Sequence, residues 1–219
     1  MPLKTPKPPK HALAIISDAM RGLSEGAPEA TRCMELASAA PEEVEAGAPH
    51  QVFSLDAAAV EAGDLSKAVA TGWRYLMMQG DRVTSSAELD APGGTRSRRA
   101  VKFSHFNQGP FVQETVRAMA QAECMDEVAQ HDFEFRILRI PELYVMALWL
   151  HGEKKDMLVP MPPTNARLNP NQTYTAKQFF SRLRGEAKIR AQFDDAPIAP
   201  KKTATKKPKK TTKKKKRGS

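Results

Sequence analysis

Apolar residues recur at helical spacing in four stretches of the chain and alternate at strand spacing between them. Leu13, Ile16, Met20 and Leu23 step by three or four residues, which predicts a helix over 11–24 closed by Gly22 and Gly26. Pro28 suits the first turn of a second, short helix running to about Ala39, after which PEEVEAGAPH is expected to break it. These two are expected to form a helical hairpin. Residues 110–130 carry the stripe Phe111, Val112, Thr115, Ala118, Met119, Ala122, Met125 and Ala129. A last helix is predicted from Thr175 to about residue 192. Thr175 and Gln178 have capping-box spacing there, and Phe179, Phe180, Leu183 and Ala187 form the buried face.

Between the helices the period changes to two. QVFSL at 51–55, WRYLMMQ at 73–79 and RVTSSAEL at 82–89 read as strands, the last two joined by Gly80-Asp81 with glycine first, as a type II′ hairpin turn prefers. Trp73, Tyr75 and Met77 alternate with Arg74 and Leu76, so one face of this hairpin is expected to be buried. FEFRILRI at 133–140, LYVMALWL at 143–150 and MLVPM at 157–161 follow with short joins and predict an antiparallel meander, its middle strand buried on both faces. The expected fold is α+β: an antiparallel sheet of about five strands covered on one face by helices near 11–24, 110–130 and 175–192. A disordered Pro/Lys-rich leader over 1–10, a single domain over 11–193 and a disordered Lys-rich tail over 194–219 complete the expected organisation, with no internal repeat.

Charge changes this picture. The net charge of +9 is misleading, because residues 200–219 alone carry +11 and the body from 11 to 174 carries −7. The cations are Lys201, Lys202, Lys206, Lys207, Lys209, Lys210, Lys213, Lys214, Lys215, Lys216 and Arg217, spaced by Thr, Ala and Pro. Such a segment cannot bury itself and, fully extended, reaches about 65 Å. It binds polyanions by releasing counterions, which requires charge density and no particular order. In composition it resembles the lysine-rich tails of linker histones and some bacterial histone-like proteins. Lys177, Arg184 and Lys188 fall on one arc of the last helix and extend the basic stripe toward the tail, although an ordinary solvated face has the same pattern. The alternatives for the tail are a solubilising appendage, a nuclear address of the KKPKK and KKKKR kind, and contact with an anionic membrane.

A second cationic feature is the loop APGGTRSRRAVKFSHF at 91–106. Arg96, Arg98, Arg99 and Lys102 are candidate phosphate contacts, with Phe103, His105 or Phe106 as stacking partners, and the paired glycines would admit backbone amides to a phosphate. A loop leading into an edge strand explains the same residues.

Candidate catalytic chemistry is sparse. Cys33 and Cys124 fit no metal or redox spacing, so a reduced cytosolic protein is expected. The apolar runs are too short for a membrane span, and no export signal is read. On an unbroken helix Cys124, Glu127 and His131 would share a face and could ligate zinc, but no second ligand set accompanies them and no metal site is assigned. His50 and His151 stand alone near predicted element ends, and no nucleophile elbow, HExxH or glycine fingerprint is present. No cofactor is expected. The expected function is therefore a non-enzymatic binding protein. Its tail contacts DNA or RNA without sequence choice, and its body binds an unknown protein partner, in the cytoplasm, on the nucleoid, or in a nucleus. The alternative is a small enzyme or ligand-binding domain whose tail serves solubility or localisation.

Overall fold

The strand-period segments pair into one mixed sheet. The computed structural model describes residues 4–26, 33–91 and 101–194. Its strands are β1 (Val44–Ser54), β2 (Val69–Gln79), β3 (Arg82–Asp90), β4 (Lys102–Asn107), β5 (Phe133–Ile140), β6 (Val145–Gly152), β7 (Asp156–Pro160) and β8 (Tyr174–Thr175). Their order across the sheet is β4-β3-β2-β1-β5-β6-β7-β8. Two antiparallel runs, β1 to β4 and β5 to β8, meet where Gln51–Ser54 of β1 lie parallel to Arg136–Arg139 of β5. The expected five antiparallel strands are thus eight in a mixed sheet.

The additional strands have local causes. The second helix ends at Ser38, just ahead of PEEVEAGAPH as expected, but that segment is not a plain break: Pro41–Glu43 form a 3-10 turn, β1 starts at Val44, and a register irregularity between Ala46 and Pro49 accommodates a proline that has no N–H for the ladder. β4 is a short edge strand and β8 has two residues, lengths at which alternation carries little signal. Gly80 has φ +59 and Gln79 pairs with Arg82, as the predicted hairpin requires.

Helices cover both faces, not one. α1 (Ala12–Ser24) and α2 (Met34–Ser38) pack with Trp73, Tyr75, Met77, Leu89 and Phe106. On the same face, α3 (Ala57–Ala62) and α6 (Ala176–Asp194) pack with Leu138, Ile140, Trp149 and Leu158. α4 (Pro110–Glu123) and α5 (Asp126–Gln130) lie opposite, over Val52, Ile137, Leu148 and Val159. The predicted helix over 110–130 is interrupted because Met125 is extended, and the break changes the phase of the stripe: Val128 is buried, Ala129 exposed. In α1 the buried face is Ala12, Ile16, Met20 and Leu23, with Leu13 58% exposed. The capping box of α6 is reciprocal: Gln178 N donates to Thr175 Oγ1 at 3.3 Å, and Thr175 N donates to Gln178 Oε1 at 3.0 Å.

Residues expected to form a disordered leader are tied down at Lys4. Its N donates to the Phe133 carbonyl at 2.9 Å, its carbonyl accepts from Phe135 N at 3.3 Å, and its Nζ meets Asp132 at 2.6 Å. Among the described residues no helix is long and apolar enough to cross a membrane.

Gly72 of β2 marks the tightest backbone approach, since a Cβ there would sit 2.2 Å from the Leu89 carbonyl oxygen. Backbone cannot yield as a flexible side chain can. Gly72→Ala is expected to lower the unfolding free energy by about 1–3 kcal/mol, the usual cost of overpacking, as read from a denaturant titration. An unchanged midpoint would show that the β2–β3 ladder is free to shift.

Candidate functional site

Most of the residues singled out by sequence fall outside the described part of the chain. Lys201 to Arg217, and Arg96, Arg98 and Arg99, lie outside the described residues. Lys102 is exposed at the start of β4. Phe106, expected to stack on a base, is a core residue, and Phe103 packs against it with ring centroids 4.7 Å apart. His105 remains half exposed. On α6, Lys177, Arg184 and Lys188 are all exposed, but Arg184 Nε donates to the Glu61 carbonyl at 3.0 Å. That bond satisfies a carbonyl near the C-terminal end of α3, so Arg184 serves packing as well as charge.

The zinc arrangement required an unbroken helix. The extended Met125 takes Cys124 out of helical register with Glu127 and His131, and among the described residues no group of three His, Cys, Asp or Glu side chains converges on a common point. The two histidines do not stand alone. His151 pairs across the β6–β7 hairpin, its Nδ1 2.7 Å from Asp156 Oδ1, and the same oxygen accepts from Trp149 Nε1 at 2.8 Å. His50 is buried, edge-on to Phe135.

The arrangement that sequence did not reveal lies under α4. Arg74, expected on a solvated face of β2, is fully buried. Its Nε lies 3.3 Å from Glu88 Oε1, and its Nη1 donates to Thr115 Oγ1 of α4 at 3.2 Å. Thr115 Oγ1 in turn donates to the Phe111 carbonyl at 2.6 Å, one helical turn back. Arg139 reaches from β5 to donate through Nη2 to the same Glu88 Oε1. His105 Nε2 is 3.9 Å from the other Glu88 oxygen. One carboxylate therefore serves two guanidiniums and an imidazole.

Electrostatics follow from that crowding. Burial alone would raise the Glu88 carboxyl, but the Arg139 hydrogen bond and the charges of Arg139, Arg74 and His105 outweigh it and hold Glu88 below the usual glutamate range. Burial lowers the Arg74 guanidinium from its usual value, Glu88 opposes that, and Arg139 adds to it. Burial, then the Arg74 charge, lowers His50 to about 4, so its ring is neutral at pH 7.

Beside this cluster, at the N-terminal end of α4, is a cleft of about 400 Å³. Phe111, Pro141, Tyr144, Met146 and Pro163 form most of its wall, and among the described residues Arg139 is the only charged one lining it. Met146 Sδ is also 3.7 Å from Arg74 Nη1, so the cleft wall and the ion cluster share atoms. The signal that could have located this site was an arginine at the centre of a strand whose neighbours on both sides are large and apolar, Trp73 and Tyr75.

Comparison with known proteins returns no matching protein-family model, no matching curated protein and no matching solved structure.

Removing the shared carboxylate should leave two guanidiniums without their counter-charge. Glu88→Gln is expected to cost about 3–5 kcal/mol of unfolding free energy, measured at pH 7 by denaturant titration. A loss below 1 kcal/mol would show that Arg74 and Arg139 find other partners.

The depressed His50 value gives a pH window. The unfolded chain binds its proton below about 6.5 and the folded chain only near 4, so stability from this group is complete above the higher value and falls as pH drops toward the lower. The slope approaches 1.4 kcal/mol per pH unit (about 1.4, one proton). Glu88 adds a loss at still lower pH, as the medium falls through its depressed folded value. His50→Phe should flatten the profile between pH 6.5 and 4 relative to the unaltered protein. Superimposable profiles would show that His50 titrates normally when folded.

Proposed function

We propose that this chain is a non-enzymatic binding protein whose lysine-rich segment holds nucleic acid, DNA or RNA, without sequence choice, while the folded body engages a partner of its own. The observation that carries the reading is the division of charge, +11 over residues 200–219 against −7 over residues 11–174. A phosphate backbone is the polyanion such a segment meets at highest linear charge density, and counterion release supplies affinity without base contacts.

Supporting placement comes from α6. Its 19 residues span about 28 Å, Lys177 and Lys188 are exposed along it, and it precedes the segment in the chain. A nucleic acid held by residues 201–217 would run past these two cations. Arg184 contributes less, because its guanidinium is committed to α3. Arg96, Arg98 and Arg99, with Lys102, are a secondary phosphate contact in this reading.

The full-length chain should retard DNA and RNA of unrelated sequence in gels, with affinity falling steeply as salt rises. Deleting 200–219 should abolish most of that retention, and every described element ends by Asp194, so the melting temperature should be retained. Lys177→Gln with Lys188→Gln should weaken binding severalfold and reduce the salt slope by roughly 2 (about 0.9 per phosphate contact). Equal retention after the deletion would transfer the binding to the body.

A further inference from the structure

The cleft beside α4 has the composition of a small-molecule site: among the described residues its walls are mostly apolar, with one charged residue, Arg139, and two that carry hydroxyls, Tyr144 and Thr164. Arg139 keeps 27% of its side chain exposed while its Nη2 is committed to Glu88. Arg139 Nε and Thr164 Oγ1 are both buried without a hydrogen-bond partner among the described residues. Both atoms are closed to solvent, so what a ligand in the cleft meets is the exposed part of the Arg139 side chain rather than either of them.

Charge supplies the second argument. Behind the wall, Arg74 and Arg139 share Glu88, which leaves the pair of guanidiniums one negative charge short. Glu114 pairs through Oε1 with Arg117 at 2.7 Å, and its Oε2 is buried with no hydrogen-bond partner among the described residues, so it bonds to neither guanidinium of the pair. Glu142, in the same turn as the cleft, is not among the residues that line it. An anion held against Arg139 from the cleft side would balance the cluster. A planar carboxylate matches a guanidinium edge, whereas the apolar walls disfavour a heavily hydrated dianion.

Tyr144 supplies the third. It caps the 3-10 turn Pro141–Leu143 in the left-handed region, φ 54 and ψ 42, and is 76% exposed. A non-glycine residue held there without burial is paid for by no packing of its own, and such positions concentrate at ligand sites. Its ring forms the rim of the cleft.

We propose that this cleft binds a small organic carboxylate with an apolar body, the carboxylate facing the exposed part of Arg139 and the body lying against Phe111, Tyr144, Met146 and Pro163. This names a ligand class for the body and is independent of the lysine-rich segment.

The test is a titration of the isotopically labelled full-length chain with benzoate, followed by amide shifts, with benzyl alcohol and inorganic phosphate as comparison probes. Saturable benzoate shifts are expected around residues 111, 139–146 and 163–164, with benzyl alcohol weaker by about tenfold, as loss of one charged hydrogen bond implies. Arg139→Gln should weaken benzoate by a similar factor. Because that change also disturbs Glu88, Tyr144→Gly is the second variant: its backbone conformation suits glycine, so the unfolding midpoint should hold while benzoate affinity falls severalfold. The proposal is overturned if benzoate and benzyl alcohol bind alike, if phosphate binds the cleft as tightly as benzoate, if Tyr144→Gly leaves benzoate affinity unchanged, or if benzoate shifts are confined to residues 201–217. The last result would leave the polyanion reading intact.

Discussion

Four residue pairs hold the two halves of the sheet together. Gln51–Ser54 against Arg136–Arg139 is the only parallel ladder among the described strands, and it joins two antiparallel runs that each close on themselves. A parallel neighbour cannot be reached by a tight turn. After β4 the chain stands at one edge of the sheet and must return to the centre to lay β5 beside β1, and α4 is the element that makes the return. It is pinned at both ends, Gln113 to the Val83 carbonyl of β3 and Gln121 to the Asn171 carbonyl beyond β7, each at 2.8 Å. That crossing is why the second face of the sheet is covered.

The buried charges lie across this seam. Glu88 belongs to β3 and Arg74 to β2, while Arg139 comes from β5 and Thr115 from the crossing helix. A buried ion pair adds little stability over a well-packed apolar substitute, but it is severe toward misplacement, because a carboxylate moved off its partner is left buried and uncompensated. The Glu88 oxygen shared by Arg74 and Arg139 therefore adds a directional constraint to the register that the apolar clusters already specify. The same geometry brings Arg139 to the cleft, so the constraint that aligns the halves also prepares the charged wall of the proposed ligand site.

Charge is divided in the molecule between two different physical regimes. Under α4, desolvated charges interact strongly at short range and hold their protonation states away from ordinary values, as Glu88 and His50 do. A run of cations of the composition of residues 200–219, if met by water, would act through charge density and be screened over roughly 8 Å at physiological ionic strength. The first regime suits selection of a particular small ligand, and the second suits indiscriminate attachment.

Sequence by itself determined the class of most elements. The helical stripes of α1, α4 and α6, the capping box at Thr175, the Gly80 hairpin and the β5–β6–β7 meander all follow from local periodicity and turn chemistry, which act within a few residues. The cationic segment is equally legible, because its physics needs only composition. Tertiary structure alone decided the rest. A strand through Gly47 and Pro49 exists because β2 holds its backbone on either side of them, Ala46 against Met77 and Pro49 against Tyr75; the interruption at Met125 lets the chain turn toward β5; and both faces of β2 are buried because helices arrive from opposite sides. Arg74 is the sharpest case. Alternation placed it opposite Trp73 and Tyr75, as it is, but whether that opposite face meets water or α4 depends on a helix some forty residues away, and no local pattern encodes such a distance.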